Sequence, residues 1–315
     1  MRPDLSVILL AYQSEDKIKE ACTALTSAFE KENIHFEIII VDDGSTDGTL
    51  GQAQQIQKEN SNIRCISLSK NYTSPYAQFA GLSVCKGRCA APMPDDFQRP
   101  IAHLIAMYRM WQNGAKVVIS HRLSRSDGFW NDLGSKLYYQ IMNSFSAVQF
   151  PKGGTDGYLI DREIVDLING LQGKRNTTPV IEILHLGFDP IWLGYERPKM
   201  TNGRSRWTFK KKWKLAMDTF FSGSNMPLRM ITGLGFVVFF MSLIIIVAIV
   251  FSKLFSDNTL FGLPIRGWST LVVLVAFFNG MLMLSLGIVA EYLWRMYEEV
   301  KGRPPFIIKN ENTIN

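Results

Sequence analysis

Two uninterrupted apolar runs constrain this 315-residue chain more than any other feature in it. Residues 230–251 and 268–290 carry no charge at all. At 1.5 Å of rise per residue, each run as a helix covers roughly 33 Å, about the hydrocarbon thickness of a bilayer. Backbone in lipid must satisfy its own hydrogen bonds, so both runs are expected to be transmembrane helices within 228–291, joined by a short external loop. A hydrophobic share of 47% is ordinary for a folded chain and becomes informative through this concentration near one end.

Basic residues set the expected orientation. Lys199, Arg204, Arg206, Lys210, Lys211, Lys212 and Lys214 precede the first run, and Arg295, Lys301, Arg303 and Lys309 follow the second. The connection at 252–267 has only Lys253 and Arg266 as basic residues, which puts both termini on the cytosolic side. The apolar stretch at 6–12 is too short for a signal segment, so residues 1–200 are expected to stay cytosolic, as is the tail at 292–315. Between them, at 201–227, Trp207, Phe209, Trp213, Phe220 and Phe221 interleave with lysines, the pattern of a helix lying in the membrane interface. The net charge of +6 is then explained by anionic lipid. No basic-aromatic signature of an RNA-binding sheet is present, so nucleic acid is not an expected partner. Cys22, Cys65, Cys85 and Cys89 lack C-x-x-C spacing and read as reduced core residues.

Residues 1–200 alternate between the two periodicities. Strand patterns at 5–12, 36–42, 63–68, 88–93 and 117–120 alternate with helical patterns at 15–30, 47–58, 76–85 and 100–113. That order predicts a doubly wound α/β sheet. In such sheets ligands bind beyond the carboxyl ends of the strands. The stretch FEIIIVDDGSTDGT ends a buried-type strand on Asp42 and Asp43, with no G-x-G-x-x-G after it. Adjacent acids suit a base or ribose better than they suit a phosphate. Asp95 and Asp96 close a second strand in PMPDDFQRP, and Asp156 lies in the glycine-bearing PKGGTDGYLIDRE. Hard carboxylate oxygens in three such clusters suit Mg²⁺ or Mn²⁺ shared with a diphosphate. His103, His121 and His185 are not spaced as zinc ligands.

Taken in order, VDDGSTDGT, PDDFQRP, GGTDGYLIDRE, NGRSRW and EYLWRMYEEVKGRPPF resemble the bacterial polyisoprenyl-phosphate hexosyltransferases of glycosyltransferase family 2, relatives of dolichol-phosphate mannose synthases. The resemblance implies a GT-A-type fold, a nucleotide-diphospho-sugar donor, a divalent metal, and inverting transfer to undecaprenyl phosphate or a similar lipid. Asp42 and Asp43 match the nucleotide-holding acids, with Asp95 and Gln98 as further donor contacts. Asp96 matches the metal-ligating second acid of the family's D-x-D, and Asp156 its catalytic acid. Arg197, Ser205 and Arg206 match a phosphate-binding, acceptor-side segment. The resemblance also implies a multi-pass protein of the bacterial inner membrane, a homo-oligomer such as a tetramer, and a flippase as partner.

This chain departs from the pattern in several places. Pro94 replaces the first D-x-D acid, with Asp95 one place later. Tyr158 stands where an arginine usually follows the catalytic acid, and Arg206 replaces a lysine. Tyr12, Gln13 and Ser14 replace Tyr-Asn-Glu, and Thr73, Ser74 and Pro75 replace Gly-Lys-Glu. These changes predict altered donor-pocket chemistry. They also leave open transfer to another lipid-linked or protein acceptor, or a non-catalytic scaffold for a flippase or polymerase.

Overall fold

The computed structural model describes residues 2–123, 155–171, 174–196, 259–260, 263–264 and 268–311, together with helical residues at intervals between 231 and 247. The chain divides into two compact units. One comprises Met1–Gly223 with Arg303–Asn315, the other Ser224–Gly302.

The first unit is built on an eight-stranded sheet. Its strands are β1 (Leu5–Ala11), β2 (Phe36–Asp42), β3 (Ile63–Leu68), β4 (Cys89–Pro94), β5 (Val117–Arg122), β6 (Thr155–Asp161), β7 (Ile191–Tyr195) and β10 (Ile308–Glu311), in the order β10-β3-β2-β1-β4-β6-β5-β7. Helices α1 (Ile18–Lys31), α2 (Thr49–Glu59), α3 (Ser74–Val84) and α4 (Ile101–Gln112) follow the first four strands, and α5 (Arg162–Gly170) and α6 (Pro179–His185) follow β6. Every residue of β2 is buried, as its unbroken apolar run requires of a strand covered on both faces. In α1 the buried residues Ile18, Ala21, Cys22, Leu25 and Phe29 recur at helical spacing and form one stripe against the sheet. Alternation along the strands then separates two cores. Leu9, Ile38 and Ile40 pack with Leu25 and Phe29 on one face, and Ile8, Ile39 and Val41 pack with Phe79 and Ile164 on the other.

Through β1 to β5 this is the expected winding. The sheet is nevertheless mixed, the GT-A-like arrangement, because β6 enters antiparallel between β4 and β5 and β10 adds antiparallel to β3. The register pairs Cys89 with Asp161 and Ala90 with Ile160, so β6 starts beside the end of β4. That reversal carries Asp156 to the edge where the parallel strands finish. Strand β10 is held further by Ser69 N donating to Ile307 O at 2.9 Å and by Arg175 donating to the carbonyls of Arg303 and Pro304, both at 3.2 Å.

The second unit contains a small hairpin, β8 (Thr259–Leu260) with β9 (Leu263–Pro264), and the 33-residue helix α7 (Trp268–Val300). Within α7, Phe277–Tyr297 is long and apolar enough to cross a membrane, and none of it is buried. It is the one such helix among the described residues. Helix α7 continues ten residues past the expected end of the second apolar run, with Arg295 paired to Glu291 at 3.0 Å. Of the first apolar run, positions 231, 233–238, 240, 241, 244 and 247 are described, all helical. The interfacial segment expected at 201–227 lies outside the described residues.

Candidate active site at the carboxyl edge of the sheet

Loops at the carboxyl ends of β1, β2, β3 and β4 are stitched together by side chains. Asp42 is 0% exposed, and its carboxylate accepts from Ser67 Oγ at 2.9 Å and Ser45 N at 3.1 Å. Asp43 accepts from Tyr72 N at 2.7 Å and Thr73 N at 2.9 Å, which ties the β3–α3 loop to the end of β2. Gly44 turns the chain here with φ +68, and a Cβ on it would lie 2.4 Å from the Lys70 carbonyl carbon, so the position requires glycine. From the β1–α1 loop, Gln13 N donates to Ser45 Oγ at 3.0 Å and Ser14 N to Thr49 Oγ1 at 2.7 Å. The Ser14 hydroxyl donates to Asp95. Asp96 accepts from Gln98 through both the backbone N, at 3.2 Å, and the side-chain amide.

Asp156 sits at the same edge under a different set of partners. Arg122 Nε, at the end of β5, donates to its Oδ2 at 2.9 Å, and the Tyr195 hydroxyl, at the end of β7, donates to the same oxygen. Partial burial pushes the Asp156 carboxyl up, but the hydrogen bonds and charge of Arg122, the Tyr195 hydroxyl and the charge of Arg99 outweigh it and hold the group below its ordinary value. Burial and the Asp156 charge push the Tyr195 hydroxyl up to about 12. The Tyr195 ring stacks on His103 with centroids 4.7 Å apart, and His103 Nε2 meets Ser120 Oγ at 2.9 Å. Burial, then the neighbouring Arg99 and His121, lowers His103 to about 4, so it is neutral at physiological pH. Arg99 itself, from the β4–α4 loop, is 1% exposed.

Residues 6–164, half of the chain, match the family model described as glycosyl transferase family 2. The chain belongs to glycosyltransferase family 2. It is 30% identical to the putative glycosyltransferase CsbB of Bacillus subtilis over 99% of this chain and 93% of that one. It is 29% identical to the bactoprenol glucosyl transferase of Shigella phage SfV over 98% of each. Among solved structures, mannosyl-3-phosphoglycerate synthase from Rubrobacter xylanophilus superposes with a TM-score of 0.49 at 17% identity, covering 69% of this chain and 71% of that one.

In this family-2 glycosyltransferase, Asp42, Asp43, Asp95, Asp96, Gln98 and Asp156 all lie at one edge of one sheet. Arg197, Ser205 and Arg206 lie outside the described residues. Arg122 and Tyr195 were not anticipated, although each ends a strand, the rule that singled out the aspartates. Arg99 had no such signal. Among the described residues no three His, Cys, Asp or Glu side chains group as a metal cage. Magnesium-type ions need fewer: one or two carboxylates plus substrate phosphate oxygens suffice. Asp96, with Asp95 adjacent, fits that smaller donor set.

Proposed function

We propose that this chain moves a sugar, with inversion, from a nucleotide-diphospho-sugar to the phosphate of a polyprenyl lipid at the cytosolic face of a bacterial inner membrane. The observation that carries the reading is the meeting of Asp96 and Asp156 at one sheet edge in a chain that also holds a long apolar helix. The bactoprenol glucosyl transferases among its relatives support the lipid acceptor.

The β2 and β3 loops, fixed by Asp42 and Asp43, bind the nucleoside. Asp96, with Asp95 and Gln98 beside it, holds a divalent ion, which when bound neutralises charge on the leaving diphosphate. A lipid phosphate with a second pKa near 6 is already largely dianionic at neutral pH and needs no base to activate it. Asp156, kept ionised by Arg122 and Tyr195, orients the attacking group or the sugar rather than taking up a proton. Arg122, with Arg197, Ser205 and Arg206, supplies cations and donors for phosphate oxygens.

Chain connectivity supports a two-span topology. The chain leaves the catalytic unit at Gly223 and re-enters it at Arg303, and β10 is part of the same sheet as β1. A segment that starts and ends in one domain crosses a bilayer an even number of times. The apolar run at 230–251 provides the crossing that pairs with α7.

Mass spectrometry of lipid extracts, after incubating membranes that contain the protein with a panel of nucleotide-sugars, tests the function. A hexose-phosphate-polyprenol product is expected, and consumption of donor without any lipid-linked product would reject the acceptor. Asp96→Asn is expected to abolish turnover in a folded protein, and Asp95→Asn to lower it by about 10- to 1000-fold. Wild-type turnover in Asp96→Asn rejects the metal assignment.

A further inference from the structure

Arg99 is a fully buried cation that the described residues do not satisfy. Its Nε and Nη1 have no hydrogen-bond acceptor among the described residues, and its Nη2 reaches only the Met93 sulfur at 3.7 Å. Such a group is costly: a buried cation without hydrogen-bond acceptors loses its hydration, and the nearby Asp156 charge offsets only part of that loss. The surroundings have been shaped to admit it all the same. Gly157 adopts φ +151, and a Cβ there would stand 1.7 Å from Arg99 Nη1, so the guanidinium occupies space that any other residue at 157 would fill. This places the guanidinium next to the residue that follows Asp156. Arg122 already pairs with Asp156. Two arginines beside one carboxylate leave the local charge one unit positive.

We infer that Arg99 binds an anionic phosphate oxygen of a substrate beside Asp156, through the two donors that the described residues leave open. The inference rests on the phosphate-bearing substrates of the preceding section. Its ligand chemistry is common to the donor's diphosphate and the acceptor's phosphomonoester. Arg99 is then a specificity residue brought to the site by the β4–α4 loop and the missing side chain at 157, retained at the expense of the ligand-free fold.

That expense makes a structural role and a ligand-binding role separable. The experiment uses the full chain in detergent micelles and measures Tm alone and with UDP, GDP, inorganic pyrophosphate or a short-chain prenyl phosphate. Arg99→Met replaces the cation with an apolar chain of similar length next to Met93. Removing an unpaired buried charge is expected to leave the ligand-free Tm unchanged or raise it by roughly 2 °C or more. The stabilisation given by one class of probe is expected to disappear. Loss of the response to UDP, GDP and pyrophosphate assigns Arg99 to the donor diphosphate, and loss of the response to prenyl phosphate alone assigns it to the acceptor. A lower Tm with all probe responses intact overturns the proposal, because Arg99 is then part of the architecture. If Arg99→Met does not fold, Arg99→Lys decides: it keeps the charge but not the planar pair of donors. A full probe response in Arg99→Lys overturns the proposal, and a response at least tenfold weaker in ligand concentration supports it. Because pyrophosphate reports on an anion site whatever the sugar acceptor is, failure of the lipid-phosphate reaction and failure of the Arg99 assignment are distinguishable.

Discussion

The two edges of the central sheet each bury charge, and they treat it differently. At the amino edge, Glu37 at the start of β2 accepts from Ser6 Oγ at 2.6 Å, from the backbone N of Lys86, from Gly87 N at 3.1 Å and from Arg64 Nη2 at 3.2 Å. Arg64 also donates to Val84 O at 2.6 Å, so the cluster joins β1, β2, β3 and the approach to β4. At the carboxyl edge Arg99 has donors to spare. Backbone conformation follows the same division. Gln13, Thr73 and Phe97, which are not glycines, have positive φ, and all three lie on carboxyl-edge loops. The other such residues described, Asn33 and Asn176, are of the type that tolerates this region. Among the described residues each edge holds a buried arginine Nε with no hydrogen-bond partner, Arg64 at one and Arg99 at the other, but Arg64 reaches the Glu37 carboxylate through Nη2 whereas neither Nη of Arg99 reaches an oxygen, and the strained backbone lies on the Arg99 edge.

Asp156 is the position where the two edges should differ most. Asp156→Asn is expected to reduce turnover by about 100-fold or more, equivalent to roughly 3 kcal/mol of barrier, with the fold retained. The net effect of its partners is to lower its pKa. The stability it contributes is therefore fully present above the unfolded value of about 3.9 and is lost as pH falls through the still lower folded value. Between pH 5 and 8 the group does not titrate. The acidic limb of the rate profile then reports ionisation of the acceptor, near pH 6 for a phosphate monoester, and should survive in Asp156→Asn. Disappearance of that limb in the mutant, with the same lipid acceptor, would make Asp156 the titrating base.

Glu37→Ala addresses the other edge. It strips the Ser6 hydroxyl and Lys86 N of their acceptor, leaves Gly87 N with Ser6 Oγ alone and takes the carboxylate away from Arg64, which should cost about 2 to 4 kcal/mol in denaturant unfolding. Turnover per folded molecule should not change. A fall as large as that expected for Asp156→Asn would show that the two edges are coupled rather than separate. The smallest effect is expected at Thr73, a β-branched residue held at φ 80 by the Asp43 clamp. Thr73→Gly releases about 1 to 3 kcal/mol of strain against roughly 1 kcal/mol of added chain entropy, for a net gain near 1 kcal/mol. A lower melting temperature in that variant would show that Thr73 is not strained.

How far the sequence reveals this architecture depends on the range of the interactions involved. The strands that end on Asp42 and Asp95 are legible because apolar runs and acidic breaks are local patterns. Nothing local announces that β6 runs backwards. Its apolar triplet at 158–160 would read the same in either direction, and only pairing with β4 and β5 fixes its sense. Arg122 and Tyr195 were open to the strand-end argument, but a lone cation or tyrosine at a strand end is too common to stand out without its partner. The dependence of Arg99 on Gly157 joins residues 58 positions apart and becomes visible only once the side chains are in place. Strand β10, IKNE, has no alternating apolar pattern and is recruited by the free edge of β3.

That last strand has a consequence for the order of synthesis. A ribosome delivers β1 to β7 first, then the 79 residues of Ser224–Gly302, and only afterwards the strand that covers β3. Until then the sheet presents β3 as an open edge, able to pair with any extended chain nearby. The nascent catalytic unit therefore cannot close before residues 224–302 have been made, and chains interrupted between residues 223 and 303 should be the ones that aggregate or are degraded.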